Sequence, residues 1–248
     1  MKKLLYIPVF VLACIVYACS ENKVQTDESA YDSSAFHIAV LRTEECHAFM
    51  YADSCGLFDS LGVNVVIVPF ESEMDADTAF IKGWAQMEIT DSVRMSYIQT
   101  LCTSDSIISV MSGDLKLSLI MSAKSRVRKI SSLKEKIVAI TRNSALDKFA
   151  DKITEKAGLK HEELNRPQIN NIRMRAQMLM RAQYDGAILP EPWATQCVDS
   201  GAILVTTTDE IYPMRFQLIV NDSIFNYQKD NINKILTAYR IATTRINK

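Results

Sequence analysis

Histidine is scarce in this chain, and its cysteines do not form metal-binding pairs. The three histidines are far apart in the sequence: His37, His47 and His161. No Cys-x-x-Cys pair and no histidine at metal-ligand spacing occurs among the cysteines of the chain body, which are Cys46, Cys55, Cys102 and Cys197. Structural zinc sites are usually built from four such ligands in closely spaced pairs. The sequence therefore predicts no metal site.

Sequence motifs of catalysis and nucleotide binding are also missing. The chain has no Gly-x-Ser-x-Gly nucleophile turn and no phosphate-binding loop of the P-loop type. Its carboxylates do not include a pair that stands out from the general acidic background, and no set of nucleophile, base and orienting group can be assigned. The sequence thus predicts a protein without a cofactor and without catalytic activity.

Basic residues do not form a patch. The whole chain carries 28 Lys and Arg residues against 29 Asp and Glu residues. The nearest thing to a basic cluster is the short segment 124–129, KSRVRK, which is typical of a solvated connector. Nucleic-acid-binding proteins normally carry clustered Lys and Arg on one face, so the sequence predicts no nucleic-acid partner.

The apolar run at the N-terminus is short for a membrane span. Only fourteen residues separate Lys3 from Ala18, whereas a spanning helix needs about 20 apolar residues. Lys2 and Lys3 form a positive n-region, and the small Ala18 precedes Cys19, which is the arrangement of an export signal. We predict that residues 1–18 are removed, with a membrane-spanning helix as the alternative. Because Lys2 and Lys3 leave with the signal, the remaining 230 residues carry 26 basic and 29 acidic side chains.

The segment Val16-Tyr17-Ala18-Cys19 resembles a bacterial lipobox, in which the cysteine is lipidated and becomes the first residue. The polar run that follows has few apolar residues, so residues 19–35 are predicted to be a disordered tether. Covalent lipid contributes about 0.8 kcal/mol per buried methylene, so a multiply acylated Cys19 would hold the domain at a membrane surface. The predicted location is the periplasm or the cell surface.

Short apolar runs rich in β-branched residues alternate with helical stretches along the remaining chain. This alternation favours α/β layers with mainly parallel sheets, and 230 residues suffice for two lobes. Strands are predicted at Phe36–Leu41, Val63–Val68, Met87–Thr90, Ile107–Met111, Leu115–Ser122, Ile137–Thr141, Gly186–Leu189, Ile203–Thr206 and Phe216–Val220. Helices are predicted at Asp75–Lys82, Ser92–Leu101, Leu146–Ala157, Ile172–Gln183 and Tyr227–Ile246.

Cysteine pairing stays open at this point. An exported protein can keep disulfides, and Cys46 and Cys55 are the only cysteines that are close in the sequence. If both lie on one helix, their side chains project in different directions. The alternatives are a Cys46–Cys55 disulfide and buried free thiols.

Four segments of the chain, taken in order, contain phrases typical of one protein family. They are 55–65, CGLFDSLGVNV; 82–91, KGWAQMEITD; 132–144, SLKEKIVAITRNS; and 184–195, YDGAILPEPWAT. In this order they resemble the type II periplasmic solute-binding proteins, particularly the nitrate, sulfonate and thiamine-precursor binding group of ABC importers.

The resemblance implies a two-lobed fold, each lobe a mainly parallel sheet flanked by helices, with a ligand cleft between the lobes. It places 36–122 and 211–248 in lobe 1 and 123–210 in lobe 2. The implied partners are an ABC permease and a small molecule, either a nitrate-like or sulfonate-like anion, a pyrimidine or an amine; a monomer is expected. The alternatives are a ligand-sensing lipoprotein for a signalling partner and a fold-related enzyme of the thiamine-precursor or menaquinone type.

Candidate ligand-binding residues follow from the ends of the predicted strands. In open α/β sheets, ligands bind beyond the carboxyl ends of strands, close to helix N-termini whose N–H groups favour anions. This rule selects Thr90 and Asp91 after one strand and Arg142, Asn143 and Ser144 after another. Helix capping is the alternative role for the threonine, the aspartate and the serine, and a surface ion pair is the alternative for the arginine.

Two further places are expected to face the cleft. Glu191 and Trp193 combine a carboxylate with an aromatic ring, which can hydrogen-bond and stack on a planar or cationic ligand. The alternative for Trp193 is packing inside the second lobe. Thr43 follows the first predicted strand and completes the set of candidate ligand-binding residues.

Overall fold

The computed structural model describes residues 34–102 and 105–247. Their contacts join them into one unit that begins at Ser34. The predicted signal peptide, the predicted lipidation site Cys19 and most of the predicted tether lie outside the described residues. In the part of the chain that is described, no helix is both long and apolar enough to cross a membrane.

Within the described residues, nine strands form two sheets. The strands are β1 (Phe36–Leu41), β2 (Val65–Phe70), β3 (Met87–Asp91), β4 (Ile107–Leu115), β5 (Leu117–Met121), β6 (Val138–Ala139), β7 (Gly186–Pro190), β8 (Ile203–Thr207) and β9 (Met214–Asn221). The first sheet has the order β2-β1-β3-β9-β4 and the second the order β6-β7-β5-β8. Each predicted strand is present, because β-branched runs bounded by turn residues are a local signal.

One strand in each sheet runs against the others. In the first sheet β9 is antiparallel to both β3 and β4, and in the second sheet β5 is antiparallel to both β7 and β8. The pairs β1–β2, β1–β3 and β6–β7 are parallel. The expected α/β class is therefore observed, with mixed sheets. Because only one strand in each sheet is reversed, the carboxyl ends of most strands in a sheet meet at one edge.

The chain crosses from the first sheet to the second at Lys116. The sequence-based division assigned residues 117–121 to lobe 1, whereas their hydrogen-bonded neighbours are β7 and β8 of the second sheet. Strands β4 and β5 are separated by this one residue, and the polar break at Ser112, Gly113 and Asp114 lies inside β4, so the sequence pattern does not mark the crossing. The return crossing lies between β8 and β9. We refer to each sheet with its helices as the first and second lobe.

Ten helices cover the sheets in the described residues. They are α1 (Glu44–Ser54), α2 (Leu57–Ser60), α3 (Glu73–Ile81), α4 (Ser92–Leu101), α5 (Ala145–Lys156), α6 (Ile172–Met180), α7 (Trp193–Asp199), α8 (Thr208–Ile211), α9 (Asp222–Tyr227) and α10 (Lys229–Ile246). Helices α3, α4, α5, α6 and α10 coincide with predictions. The sequence missed α1, whose apolar and polar residues do not divide into two clear faces, and the short helices α2, α7, α8 and α9.

The cysteines of the described residues are free thiols. Cys46 lies inside α1 and is fully buried, whereas Cys55 ends that helix and is exposed. The two side chains therefore lie in different environments, which favours the free-thiol alternative over a disulfide. Cys197 is also buried and Cys102 is partly exposed.

Candidate functional site

Strand ends and helix N-termini from both lobes surround one small cavity. The residues that line this inter-lobe cavity are Leu41, Thr43, Glu45, Glu73, Ile89, Thr90, Asp91, Leu115, Leu146, Ile172 and Pro190. Its volume is about 20 Å³, which has room for about one water molecule. In this arrangement of the lobes the cavity is therefore too small for an organic ligand.

Asp91 joins the two lobes. Its Oδ1 accepts hydrogen bonds from the backbone N–H groups of Val93 and Arg94, both at 2.8 Å, and so caps α4. Its Oδ2 accepts from the N–H of Ala145 at the start of α5, also at 2.8 Å. Burial raises the pKa of Asp91, and these three donors oppose that rise. The predicted capping role is observed, and the same carboxylate also caps a helix of the opposite lobe.

The segment after β6 does not line the inter-lobe cavity. Ser144 is fully buried and is the N-cap of α5; its hydroxyl accepts from the N–H of Leu146 at 3.2 Å and donates to the carbonyl of Thr141 at 2.8 Å. Arg142 and Asn143 are exposed and line a separate surface cavity of about 290 Å³. Ser144 thus has the capping role that the sequence left as its alternative.

Thr43 and Thr90 both line the inter-lobe cavity and are buried. The Thr43 hydroxyl donates to the sulfur of Cys46 at 3.5 Å. Thr90 has no such neighbour: its Oγ1 is buried without a hydrogen-bond partner among the described residues. These two threonines and Asp91 are the predicted site residues that the fold brings together around one space.

Glu191 and Trp193 lie where the lobes touch beside this cavity. The Trp193 indole N–H donates across the lobes to the carbonyl of Arg42 at 2.9 Å. The Glu191 carboxylate accepts from the N–H of Thr195 at 3.1 Å. Glu191 also borders a larger, open cavity of about 540 Å³ together with Thr43, so it lies at an outer edge of the cleft.

The sequence analysis did not predict the buried charged residues around the cavity. The Arg94 guanidinium is paired with Asp77, with an Nη2–Oδ2 distance of 2.5 Å, and both side chains are almost completely buried. Glu73 lines the cavity at the first residue of α3, whereas the predicted helix began two residues later. The Ser72 side chain caps α3 by accepting from the N–H of Asp75, so a Ser-x-x-Asp capping pattern was the signal that could have placed Glu73 at a helix start.

Two cavity-lining carboxyl groups have strongly raised pKa values. Burial raises the pKa of Glu45 to about 7, against a hydrogen bond from Thr43 that lowers it. Burial, with the negative charge of Asp91, raises the pKa of Glu73 to about 7, although Arg94 and Arg175 lower it.

Because the pKa values of Glu45 and Glu73 are raised, we expect the protein to be less stable at pH 8 than at pH 5. Their ordinary pKa is 4.5, so between that value and about 7 the folded state holds protons that the unfolded state releases. The stabilisation of the folded state by these bound protons is fully present below pH 4.5 and is lost as the pH rises through 7. We expect a loss on the order of 2 kcal/mol per carboxyl group, measured as the free energy of urea unfolding.

The variant Glu45→Gln is the control for this pH effect, because glutamine keeps the shape and removes the titration. Its unfolding free energy is expected to fall less between pH 5 and pH 8 than that of the unaltered protein. An unfolding free energy that rises over this range in the unaltered protein would contradict the assignment of raised pKa values.

Solved structures with a similar fold include solute-binding proteins. The alkanesulfonate-binding protein SsuA from Xanthomonas axonopodis pv. citri, bound to MOPS, is 13% identical with a TM-score of 0.69, covering 84% of this chain and 73% of that one. The nitrate-binding protein NrtA from Synechocystis PCC 6803 is 11% identical with a TM-score of 0.73, covering 86% and 62%. PhnD1 from Prochlorococcus marinus MIT 9301, in complex with methylphosphonate, is 12% identical with a TM-score of 0.62, covering 83% of each chain.

These likenesses confirm the predicted two-lobed periplasmic-binding-protein fold. A search of the curated proteins finds no match to the sequence. Residues 44–246 match the family model described as NMT1/THI5 like. That match covers most of the described residues of both lobes, and the chain therefore belongs to the NMT1/THI5-like family.

Proposed function

We propose that this protein is an extracytoplasmic solute-binding protein that captures a small molecule between its lobes and delivers it to an ABC importer. The observation that carries the proposal is the inter-lobe cavity, which strand ends and helix N-termini of both lobes line. This is where open α/β sheets bind ligands. The similar structures of sulfonate-, nitrate- and phosphonate-binding proteins support it.

Thr43, Thr90 and Asp91 are the proposed ligand contacts in the first lobe. Two other candidate residues contribute to the frame of the cleft: Ser144 caps α5, and Trp193 bonds across the lobes to the backbone of Arg42. A ligand that touches both lobes binds the closed arrangement more tightly than the open one. This difference in affinity shifts the protein towards the closed arrangement. The connections at Lys116 and between β8 and β9 are the proposed hinges.

A membrane anchor completes the proposal. Removal of residues 1–18 and acylation of Cys19 would leave the lobes outside the cytoplasmic membrane on a short tether. The variant Cys19→Ser is expected to lose labelling by radioactive palmitate and to leave the membrane fraction. The variant Cys55→Ser is the matched control, because Cys55 is an exposed thiol in the described domain and its loss should change neither result. Palmitate labelling that persists in Cys19→Ser would contradict the anchor.

Binding is tested by thermal unfolding of residues 35–248 with candidate solutes. A ligand at 100 times its dissociation constant stabilises by about 2.7 kcal/mol, which corresponds to roughly 5–10 °C for a domain of this size. Deletion of the gene should then reduce cellular uptake of that solute. A solute that raises the unfolding temperature but whose uptake is unchanged would argue against delivery to an importer and for a sensing role.

A further inference from the structure

Helix N-termini beside the inter-lobe cavity already have their N–H donors paired with oxygens of the chain. Asp91 accepts from the first turns of both α4 and α5. At α1 the N–H of Glu44 donates to the carbonyl of Glu191 at 2.9 Å, and at α6 the N–H of Ile172 donates to the carbonyl of Glu71 at 3.0 Å. Anions bind such donors, but in the closed arrangement each of these donors already has a protein oxygen as its partner.

The wall of the cavity itself is acidic. Three of its lining residues are carboxylic acids, Glu45, Glu73 and Asp91, and none of the lining residues is Lys, Arg or His. A buried charge is stable only when an opposite charge or hydrogen bonds compensate it. Asp91 has three N–H partners, whereas Oε2 of Glu73 has no hydrogen bond among the described residues, so the acids of this wall are not all fully compensated.

Two polar atoms at the cavity have no hydrogen-bond partner among the described residues. They are Oγ1 of Thr90, a residue that is only 9% exposed, and Oε2 of Glu73, which lies 4.0 Å from Nε of Arg94, within ion-pair distance but without a hydrogen bond. Both residues line the cavity. Buried polar atoms in native proteins are nearly always hydrogen-bonded, to protein or to bound molecules. Both of these atoms can accept a hydrogen bond, so they suit a donor group on a ligand.

Two buried arginines lie behind this wall and do not line the cavity. Arg94 is compensated by its ion pair with Asp77. Nη1 of Arg175 donates to the Thr141 hydroxyl at 2.8 Å and to the carbonyl of Ile169 at 2.7 Å. Arg94 and, from inside the second lobe, Arg175 thus both offset part of the negative charge of Glu73, while the three carboxylic acids remain the ionisable groups that line the cavity.

We propose that the ligand of this cleft is a small organic cation, a protonated amine that the carboxylates of Glu45, Glu73 and Asp91 surround and to which Thr90 accepts a hydrogen bond. This inference rests on the proposed solute-binding function and names the class of solute. Of the three ligand classes that the sequence left open, it selects the amine over the sulfonate-like anion and the neutral pyrimidine.

An amine ligand requires ionised carboxylates, so its affinity should depend on pH. The charged and ionisable groups that interact electrostatically with Glu73 are Asp77, Glu88, Asp91, Arg94 and Arg175. Groups that act on Glu45 are Thr43, Glu44, Cys46, Asp91 and Tyr239. With pKa values of about 7 for both glutamates, affinity should rise about tenfold between pH 6 and pH 8 for each one that must ionise. An anionic ligand would show the reverse trend.

The test is isothermal titration calorimetry of residues 35–248 at pH 6 and pH 8 with three sets of probes. The cations are primary amines and diamines from methylamine to spermidine, the anions are alkanesulfonates, nitrate and methylphosphonate, and butan-1-ol is the neutral match for butylamine. We expect saturable binding of a cation, tighter at pH 8, with proton release. Glu73→Gln should weaken that binding by at least about tenfold, whereas Glu162→Gln, at an exposed acid outside the cavity, should leave it unchanged.

The outcomes distinguish failure of the cation inference from failure of the proposed solute-binding function. Saturable binding of an anion or of the neutral probe, lost in Asp91→Ala, would overturn the cation inference and leave the solute-binding function standing. No binding by any probe class would overturn both. Cation binding that is equally tight at pH 6 and pH 8 and insensitive to Glu73→Gln would place the ligand away from these carboxylates and overturn the inference.

Discussion

Replacing Asp77 with alanine is expected to lower the free energy of unfolding by about 3–5 kcal/mol. Asp77 and Arg94 form a nearly completely buried ion pair through two contacts, Nε–Oδ1 at 3.1 Å and Nη2–Oδ2 at 2.5 Å. Without Asp77 the guanidinium stays buried, with the Glu73 carboxylate 4.0 Å from its Nε as the remaining acidic contact. The cost is therefore that of an uncompensated charge, and urea denaturation measures it.

Two comparisons separate this cause from a loss of packing. The double variant Asp77→Ala with Arg94→Met removes both charges and should recover much of the lost stability, because replacing a buried ion pair by apolar groups is often nearly neutral. The exposed pair Lys152–Glu155, at 2.7 Å, is the matched surface control. Breaking it by Glu155→Ala should cost less than about 1 kcal/mol. A double variant no more stable than Asp77→Ala would contradict the explanation.

Asp91→Asn is expected to shift the protein towards an open arrangement of the lobes. Asparagine still caps α4 through its carbonyl oxygen, but its amide would face the N–H of Ala145, where the carboxylate now accepts a hydrogen bond at 2.8 Å. Bonds to charged groups contribute about 1.5–3 kcal/mol, so the ratio of open to closed molecules should rise about tenfold to a hundredfold. Small-angle X-ray scattering should then give a radius of gyration above the roughly 17 Å of a compact chain of this size.

Asp185→Asn is the control for this change in shape. Its carboxylate accepts from the N–H of Ile137 at 2.9 Å, so it makes the same type of bond inside one lobe. That variant should keep the radius of gyration of the unaltered protein. An equal radius for Asp91→Asn and the unaltered protein would show that other contacts between the lobes, such as the bond from Trp193 to Arg42, suffice for closure.

The sequence alone determined the elements whose signals are local. Alternation of β-branched strands with helices predicted all nine strands, and α4 begins and ends at its predicted residues. Helix α10 begins two residues after its predicted start and ends where expected, since its apolar residues Ile232 and Ile235 recur at helical spacing and are fully buried. Thr43, Thr90 and Asp91 were predicted to lie near one another because residues after parallel strands gather at one edge of a sheet, and all three line the inter-lobe cavity.

The tertiary structure decided which lobe each strand joins and what each polar group contacts. Strand β5 belongs to the second sheet because its backbone pairs with β7 and β8, and no local pattern records that pairing. From the sequence, Ser144 could be either a helix cap or a ligand contact. The hydrogen bond that its hydroxyl accepts from the N–H of Leu146 identifies it as the cap of α5. Glu45 and Glu73 read as ordinary surface acids, because the burial and the nearby charge of Asp91 that raise their pKa values arise only in the folded structure.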